Sequence, residues 1–437
     1  AQAHALAAQP VDFWIRTEAS LRYFLLKNRR TKRNYQPTRA MQLCLRLARQ
    51  IHKGRVDIVM PDGQKLAFQG RVEGGHGVLI IHNDRVARRL LTGGRLGFCE
   101  SYVDGDWTSP DIAALFETVL DNEKILMKTL NGKGWVRAIG HALHRLKPNS
   151  KKGSKKNIYR HYDIGNDFYQ RWLDPGMTYS SAFYAGEEIT LEAAQDKKYA
   201  EMVKRLDLKP DHHVLEIGCG WGGFAEFAAK TVGCRVTGIT ISQAQCDYAT
   251  KRIADAGLSD LVTLKLSDYR DVEGHFDRVA SIEMFEAVGE AYWPTFFNTV
   301  KSRLKPGGHA VLQIITIDED AFDVYRRGAD YIQLYIFPGG MLPSPSALNK
   351  QVEKSGLRVG DILSFGPDYA KTLAEWNQTF QEEWSNLTKA HGFDERFKRL
   401  WEQYLCYCQA GFAAGTIDVV QISIHNDGHE SGHTLPH

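Results

Sequence analysis

A glycine-rich turn stands out among the residues whose types and spacing could do chemistry. The segment Val214-Leu215-Glu216-Ile217 is apolar apart from one acid, and it runs directly into Gly218-Cys219-Gly220-Trp221-Gly222-Gly223. A short apolar strand followed by such a turn and a helix is typical of a nucleotide-binding crevice, because glycine lets the backbone approach a ligand closely. Four glycines in six positions exceed what a tight turn alone requires. The turn therefore predicts a cofactor site.

Two cofactor classes compete for this turn. Gly218, Gly220 and Gly223 match the G-x-G-x-x-G pattern of NAD-binding proteins, which also expects an acid at the end of the second strand. That strand ends at residues 238–242 as Gly-Ile-Thr-Ile-Ser, without a carboxylate. S-adenosylmethionine (SAM) has no pyrophosphate, and its sulfonium and amino-acid tail favour a nearby carboxylate such as Glu216. The pattern thus favours a SAM-dependent methyltransferase over a dehydrogenase.

The elements around the turn alternate between strand and helix. The predicted strands are 214–217, 235–239, 262–266, 276–280 and 310–314, and the predicted helices between them include 224–231 and 242–256. This alternation indicates a doubly wound, mostly parallel α/β sheet, the Rossmann-like fold of class I methyltransferases. Ligands bind at the carboxyl ends of the strands in such a sheet, where the glycine turn lies.

The length of 437 residues favours two domains. We expect an N-terminal helical and α+β domain at 1–145, a basic linker at 146–157, the methyltransferase domain at 158–424 and a polar tail at 425–437. Within the first domain the pattern predicts helix over 11–55, strands at 56–60, 65–68 and 78–81, a helix over about 84–91 and another over 124–145.

Charge is spread unevenly along the chain. The overall balance is only +3, but the stretch from Arg16 to Arg55 contains twelve Lys and Arg and one acid, Glu18. Such a block favours an anionic partner such as a lipid surface, or it forms a solvated helix face, and both interpretations stay open. The seven cysteines lack the spacing of a disulfide framework, which favours a reducing compartment. No metal site is expected. No signal peptide or membrane span is expected, which implies action from the cytoplasmic face of a membrane.

Several ordered blocks resemble the family of cyclopropane fatty acid synthases and mycolic-acid-modifying enzymes. These blocks are 161–167 (HYDIGND), 173–182 (LDPGMTYSSA), 214–223, 238–242, 268–271 (DYRD), 284–289 (MFEAVG), 335–340 (YIFPGG) and 365–369 (FGPDY). The N-terminal segment 97–107 resembles the lipid-binding domain of the longer bacterial members. The resemblance implies SAM-dependent methylation of cis double bonds in the acyl chains of membrane phospholipids, by a peripheral enzyme on the inner, anionic membrane surface. A homodimer stays open.

The resemblance also assigns candidate site residues. Those expected to contact SAM, together with the acid beside the turn, are Tyr179, Ser180, Glu216, Gly218, Gly220, Thr240, Gln245, Asp268 and Tyr269. Thr240 and Gln245 take the place where other methyltransferases hold ribose with a carboxylate. In the family a bound bicarbonate removes a proton after methyl transfer, and Glu286 and Tyr369 match two of its ligands.

This chain departs from the family at three other positions of the bicarbonate site. It has Ser181 where Cys is usual, Ala287 where His follows the Glu, and Gln313 where the fifth strand carries His. Serine and glutamine still form hydrogen bonds to an anion, but neither titrates near neutral pH. Both a cyclopropane product and a methylene- or methyl-branched product stay open, with the ring slightly favoured.

Aromatic faces are expected to stabilise the cation formed by methyl transfer to an alkene. The candidates are Tyr162, Tyr179, Phe183, Tyr184, Tyr331, Tyr335 and Tyr369. Two other functions stay open: methylation of another apolar or amine acceptor, and lipid binding without catalysis. A nucleic-acid methyltransferase is disfavoured, because residues 281–283 read Ser-Ile-Glu where a base-flipping motif would stand.

Overall fold

The computed structural model describes residues 35–126, 164–328 and 330–427. They divide into two units, one within 1–148 and the other within 149–437. The predicted linker at 146–157 lies outside the described residues. So do most of the helix predicted over 124–145, the predicted helical residues 11–34 and tail residues 428–437.

The first unit contains a four-stranded sheet with three helices. Its strands are β1 (Lys53–Val59), β2 (Lys65–Gln69), β3 (Val72–Ile81) and β4 (Trp107–Thr108), and its helices are α1 (Arg39–Ala48), α2 (Arg85–Val103) and α3 (Ile112–Asp121). The strand order is β2-β1-β3-β4, with β1 parallel to β3 and antiparallel to β2. The prediction of helix up to residue 55 is wrong, because α1 ends at Ala48 and β1 begins at Lys53.

Trp107 is the centre of the aromatic packing in this unit. It is fully buried, stacks on Phe98 with ring centroids 4.5 Å apart, and donates its indole N–H to Ser101 Oγ at 2.9 Å. The helix predicted over about 84–91 extends to Val103, and Gly94, at φ +57°, lies at a kink within it. A non-helical glycine in the middle of the run explains why the periodicity predicted only the first half.

The second unit contains a seven-stranded sheet. Its strands are β5 (His213–Ile217), β6 (Arg235–Thr240), β7 (Val262–Leu266), β8 (Phe276–Ile282), β9 (Leu304–Ile317), β10 (Arg358–Ser364) and β11 (Ile417–His425), in the order β10-β11-β9-β8-β5-β6-β7. The five strands β5 to β9 run parallel, whereas β11 is antiparallel to both β9 and β10. The α/β doubly wound sheet is confirmed. The tail predicted from residue 425 begins too early, because His425 pairs with His309 in this sheet.

Helices cover both faces of the sheet. They are α4 (Asn166–Tyr169), α5 (Leu191–Arg205), α6 (Gly223–Val232), α7 (Gln243–Asp255), α8 (Trp293–Arg303), α9 (Glu319–Tyr325), α10 (Tyr331–Tyr335), α11 (Pro345–Lys354), α12 (Gly366–His391) and α13 (Glu395–Ala413). One buried cluster joins α5, α6 and α7 to the sheet, and another joins α8 and α11 to it. Because both faces are covered, β5 is apolar almost throughout, and its one acid, Glu216, is buried.

Candidate active site

The glycine turn joins β5 to α6 at the carboxyl end of the sheet. Gly218, Gly220 and Gly222 have positive φ values of 84°, 50° and 84°, which side chains other than glycine rarely adopt. A Cβ on Gly218 would lie 2.7 Å from Met284 Cγ, whereas nothing lies within 4 Å of a Cβ placed on Gly220. The turn is therefore closely packed on the protein side at Gly218 and open at Gly220, as a cofactor cradle requires.

Thr240 and Gln245 lie together at the end of the neighbouring strand β6. Thr240 Oγ1 donates to Gln245 Oε1 at 2.9 Å, and Ser242 caps α7 by accepting the Gln245 backbone N–H. The cap places Gln245 on the first turn of the helix, facing the strand end. The pair offers polar atoms for a ribose at the position where the sequence predicted them.

Glu216 lies on β5 just before the turn. It is 2% exposed, and its Oε2 has no hydrogen-bond partner. Burial raises the pKa of Glu216 to about 8, whereas Lys198 and Arg252 act to lower it. A buried carboxyl group with an unpaired acceptor fits the ammonium group of the amino-acid tail of SAM. Together with the open face of Gly220, it makes the residues present compatible with that cofactor.

Lys198 is a buried cation that the sequence analysis did not identify. It lies on α5 and donates from Nζ to the hydroxyl of Ser180, one of the predicted cofactor residues, at 2.7 Å. Burial lowers the pKa of Lys198 to about 7, while Glu283, Asp174 and Glu216 act to raise it. Lys198 thus lies among acids whose charges favour its ammonium form.

Aromatic rings surround Tyr179. Its hydroxyl forms a 2.8 Å hydrogen bond with the hydroxyl of Tyr404, and burial raises its pKa well above the ordinary value. Ring centroids within 6.3 Å of it belong to Tyr169, Trp172, Phe337 and Trp376. These faces form an apolar wall that suits a hydrocarbon chain and a transient cation.

The remaining aromatic candidates have other neighbours. Phe183 packs on Phe365, Tyr184 donates to Glu375 and Tyr331 donates to the Leu400 carbonyl, while Tyr335 packs on Tyr331. Tyr162 lies outside the described residues. These contacts are those of ordinary packing.

Asp268 and Tyr269 follow β7. Asp268 accepts two hydrogen bonds from the Arg270 guanidinium, at 2.8 and 2.7 Å, which lower the pKa of Asp268. Tyr269 packs edge-on against Phe296 at 5.5 Å and remains partly exposed. Both residues lie at the carboxyl edge of the sheet, as do Thr240 and the glycine turn.

The centre of the site is a residue that the sequence analysis did not select, Glu283. Three donors converge on its carboxylate. The backbone N–H of Ser181 and Nε2 of Gln313 both reach Oε1 at 2.8 Å, and the Tyr369 hydroxyl reaches Oε2 at 2.6 Å. Burial raises the pKa of Glu283, whereas the hydrogen bonds from Tyr369, Ser181 and Gln313, and the charge of Lys198, lower it. The balance leaves the pKa above its ordinary value.

The surrounding strands hold this arrangement rigidly. Gln421 on β11 donates to Gln313 Oε1 at 3.1 Å, which turns the Gln313 amide so that its NH₂ faces Glu283. Ser281 Oγ donates to the Ile217 carbonyl at 2.8 Å and ties the end of β8 to the end of β5. Glu283 itself has φ +49°, a left-handed conformation that costs a non-glycine residue about 1–2 kcal/mol.

Glu286 forms no hydrogen bond with Tyr369, the residue with which it was expected to hold bicarbonate, in the part of the chain that the structure describes. It accepts a 2.5 Å hydrogen bond from the Ile315 backbone N–H, and its Oε2 has no partner. Burial and the nearby charge of Glu283 raise the pKa of Glu286 to about 8, which favours the protonated form at neutral pH. Tyr369 donates to Glu283, and Glu286 and Tyr369 therefore do not share an anion.

The predicted bicarbonate ligands are thus only partly brought together. Ser181 contributes its backbone N–H, because its hydroxyl donates to the Ala182 carbonyl. Gln313 and Tyr369 both donate to Glu283, and Ala287 is exposed. The donors that meet already bind the carboxylate of Glu283, so the residues present do not fit a bound bicarbonate.

The position of Glu283 in the sequence could have identified it as a candidate site residue. It directly follows the apolar strand β8, and acids at the carboxyl end of a parallel strand are candidates for ligand or catalytic roles. Its neighbours come from residues 181, 313 and 369, whose proximity no local pattern indicates.

Comparison with known proteins identifies the family. The model of the mycolic acid cyclopropane synthetase family matches residues 149–422. The chain is 37% identical over 362 residues to the tuberculostearic acid methyltransferase UfaA1 of Mycobacterium tuberculosis, covering 80% of this chain and 83% of that protein. It is also 37% identical over 352 residues to the cyclopropane-fatty-acyl-phospholipid synthase of Escherichia coli K12, covering 80% and 88%.

A solved structure agrees with the sequence comparisons. The mycolic acid cyclopropane synthase CmaA1, complexed with SAH and CTAB, superposes with a TM-score of 0.58 at 29% identity, covering 64% of this chain and 99% of that one. The family match covers well over half of the chain, and the cradle at Gly218–Gly223 lies within it. The chain belongs to the mycolic acid cyclopropane synthetase family and is a SAM-dependent methyltransferase.

Proposed function

We propose that this enzyme methylates the double bond of unsaturated acyl chains in membrane phospholipids. The relatives named above support the acyl substrate, since one is a cyclopropane-fatty-acyl-phospholipid synthase and the other a tuberculostearic acid methyltransferase. Methylation of another apolar or amine acceptor is the competing function. The aromatic wall around Tyr179 suits a hydrocarbon acceptor, and both relatives are named for fatty-acyl substrates.

The observation that carries the proposal is the position of Glu283 beside the cofactor turn. The next residue, Met284, packs directly against Gly218, and Ser181, which donates to Glu283, follows the predicted cofactor residues Tyr179 and Ser180. A group that accepts a proton thus lies close to the predicted methyl donor. Methylation of an alkene needs this combination, because the cation that forms must lose a proton.

We assign SAM to the glycine turn and the residues around it. Gly218 and Gly220 would admit the amino-acid tail, Glu216 would face its ammonium, and Thr240 with Gln245 would hold the ribose. Four further residues belong to the same proposed cofactor site: Tyr179, Ser180, Asp268 and Tyr269. When bound, SAM supplies an electrophilic methyl group on a sulfonium, and the protein orients the alkene and excludes water.

Of the two products, we favour the branched chain. Three hydrogen bonds fix the Glu283 carboxylate in place, so we expect it to reach the new methyl group more slowly than a free anion would. Slow proton removal gives a hydride time to move from the methylated carbon to its cationic neighbour, leaving the more stable cation on the substituted carbon. Loss of a proton from the methyl group then forms a methylene branch, whereas faster loss closes a cyclopropane ring.

We also propose that the enzyme works as a peripheral protein at an anionic membrane surface. Helix α1 and its C-cap residue carry both charge and apolar surface: Arg39, Arg46 and Arg49 are exposed, and Leu43, Leu45 and Leu47 are only partly buried. Basic residues near an anionic membrane contribute about 1 kcal/mol each. Among the described residues, no helix combines the length and apolar content needed to cross a bilayer.

Vesicles with cis-monounsaturated phospholipid and methyl-labelled SAM test the proposal. We expect label in the acyl chain, none with fully saturated phospholipid, and a rate that rises with anionic lipid and falls with salt. Mass spectrometry after catalytic hydrogenation identifies the product, since conditions that reduce a branch alkene spare a ring. Label confined to head groups or a soluble amine, or absent although SAM binds, would exclude the acyl substrate.

A further inference from the structure

The pocket predicted to hold an external anion is already filled by a side chain of the protein. The donors from Ser181, Gln313 and Tyr369 all point at the Glu283 carboxylate. We propose that Glu283 is the built-in catalytic base of this enzyme, taking the place of a bicarbonate ion, so that turnover needs no bicarbonate. This inference rests on the proposed methylation of an alkene, because only that reaction leaves a cation that must lose a proton.

The hydrogen bonds indicate which oxygen accepts the proton. A carboxylate offers about four lone-pair positions, two on each oxygen. Oε1 of Glu283 uses both of its positions for Ser181 and Gln313, whereas Oε2 uses one for Tyr369. Among the described residues, no other donor bonds to Oε2, so one of its lone pairs is left for a substrate, and Glu283 as a whole is only partly buried. Oε2 is the atom available to a substrate.

The backbone supports a functional role for this side chain. Glu283 is one of four non-glycine residues with positive φ among those that the structure describes. Unfavourable backbone conformations persist where the surrounding structure requires them, and they cluster at active sites. Here the strain aims the carboxylate at donors from three separate elements, and Gln421 orients one of those donors.

The proposed step balances without any further reactant. A C–H bond of the newly added methyl group breaks, and its proton passes to Oε2 of Glu283. The electron pair of that bond forms the third side of a cyclopropane ring, or a carbon–carbon double bond if a hydride has moved first. Glu283 then releases the proton to water before the next turnover.

Two substitutions of Glu283 give opposite expectations. Glu283→Gln keeps the shape and removes the base, so we expect kcat to fall by about 100-fold or more, with or without bicarbonate. Glu283→Gly removes the side chain, suits the positive φ and leaves the three donors around an empty space. We expect added bicarbonate to restore activity to Glu283→Gly and to leave the wild type unchanged in CO₂-free buffer.

Two measurements do not depend on lipid turnover. ¹³C-labelled bicarbonate should bind to Glu283→Gly and not to the wild type, as seen by broadening of its NMR signal. SAM binding by calorimetry should be retained in both variants, and Glu353→Gln, an exposed residue of α11, serves as the matched control with normal kcat.

The outcomes separate this inference from the proposed function. A wild type that labels no lipid would overturn the acyl substrate, while the bicarbonate-binding comparison would still test the pocket. A wild type that requires bicarbonate, a fully active Glu283→Gln, or a Glu283→Gly that neither binds nor responds to bicarbonate would each overturn the role of Glu283.

Discussion

Removal of the Tyr369 hydroxyl tests how the protein sets the strength of its base. Tyr369→Phe deletes the only hydrogen bond to Oε2 of Glu283 that the described residues provide, at 2.6 Å, and leaves the ring in place. The ring stacks on Phe412 with centroids 4.4 Å apart, so the phenylalanine keeps its packing. The substitution therefore changes the electrostatics of the carboxylate more than the shape of the pocket.

The size and sign of the effect follow from the hydrogen bond. Hydrogen bonds to charged groups contribute about 1.5–3 kcal/mol, and one pKa unit corresponds to about 1.4 kcal/mol. Tyr369 lowers the pKa of Glu283, which burial holds above its ordinary value, so its loss raises that pKa by about 1–2. Catalysis needs the ionised carboxylate and is lost as pH falls through this pKa. The acid limb of kcat should thus move up by about 1–2 pH units.

The assay is kcat against pH with vesicle-bound lipid and labelled SAM, for wild type and variant. The other titratable groups near Glu283 are Glu286 and Lys198, and both are unchanged in the variant. Above the limb, kcat should return towards the wild-type value, and the Kd for SAM should be unchanged throughout. An acid limb that stays in place, or a loss of activity that is the same at every pH, would refute the role of Tyr369.

Three further predictions concern other groups of the site. Glu286→Gln should raise the Tm at pH 7–8 and not at pH 4.5. The pKa of Glu286 is about 8 against an ordinary 4.5, so the contribution of this side chain to the free energy of unfolding is lost as pH rises, by about 3 kcal/mol at pH 7. Equal Tm differences at both pH values would contradict this prediction. Lys198→Met should move the acid limb of kcat upward by less than Tyr369→Phe does, since Lys198 lowers the pKa of Glu283 less strongly; a downward movement in the same pH series would count against it. Gly220→Val should weaken SAM binding at least about tenfold and cost about 1–2 kcal/mol of stability, because it places a side chain in the open cradle at φ +50°; calorimetry showing normal affinity would place the cofactor elsewhere.

The sequence alone identified the features that depend on neighbouring residues. The strand, turn and helix around Gly218–Gly223 form one continuous segment, and their apolar pattern and glycines predict both the α/β sheet and the cofactor site. Thr240 and Gln245 are five residues apart across a helix cap, so local geometry brings them together. The limits of α1 and α2 were less predictable, because a kink at Gly94 and the start of β1 depend on packing.

Only the tertiary structure revealed the chemistry on the other side of the pocket. Glu283 lies 102, 30 and 86 residues from its partners Ser181, Gln313 and Tyr369. Whether the site holds a free anion or a side chain depends on which donors meet, and strand order and register decide this. A second glutamate, Glu286, lies three positions further along the chain. Its burial favours the protonated form, and it accepts a hydrogen bond from the Ile315 backbone. Local sequence determines the elements and the cofactor turn, whereas long-range packing and desolvation determine which carboxylate can act as a base.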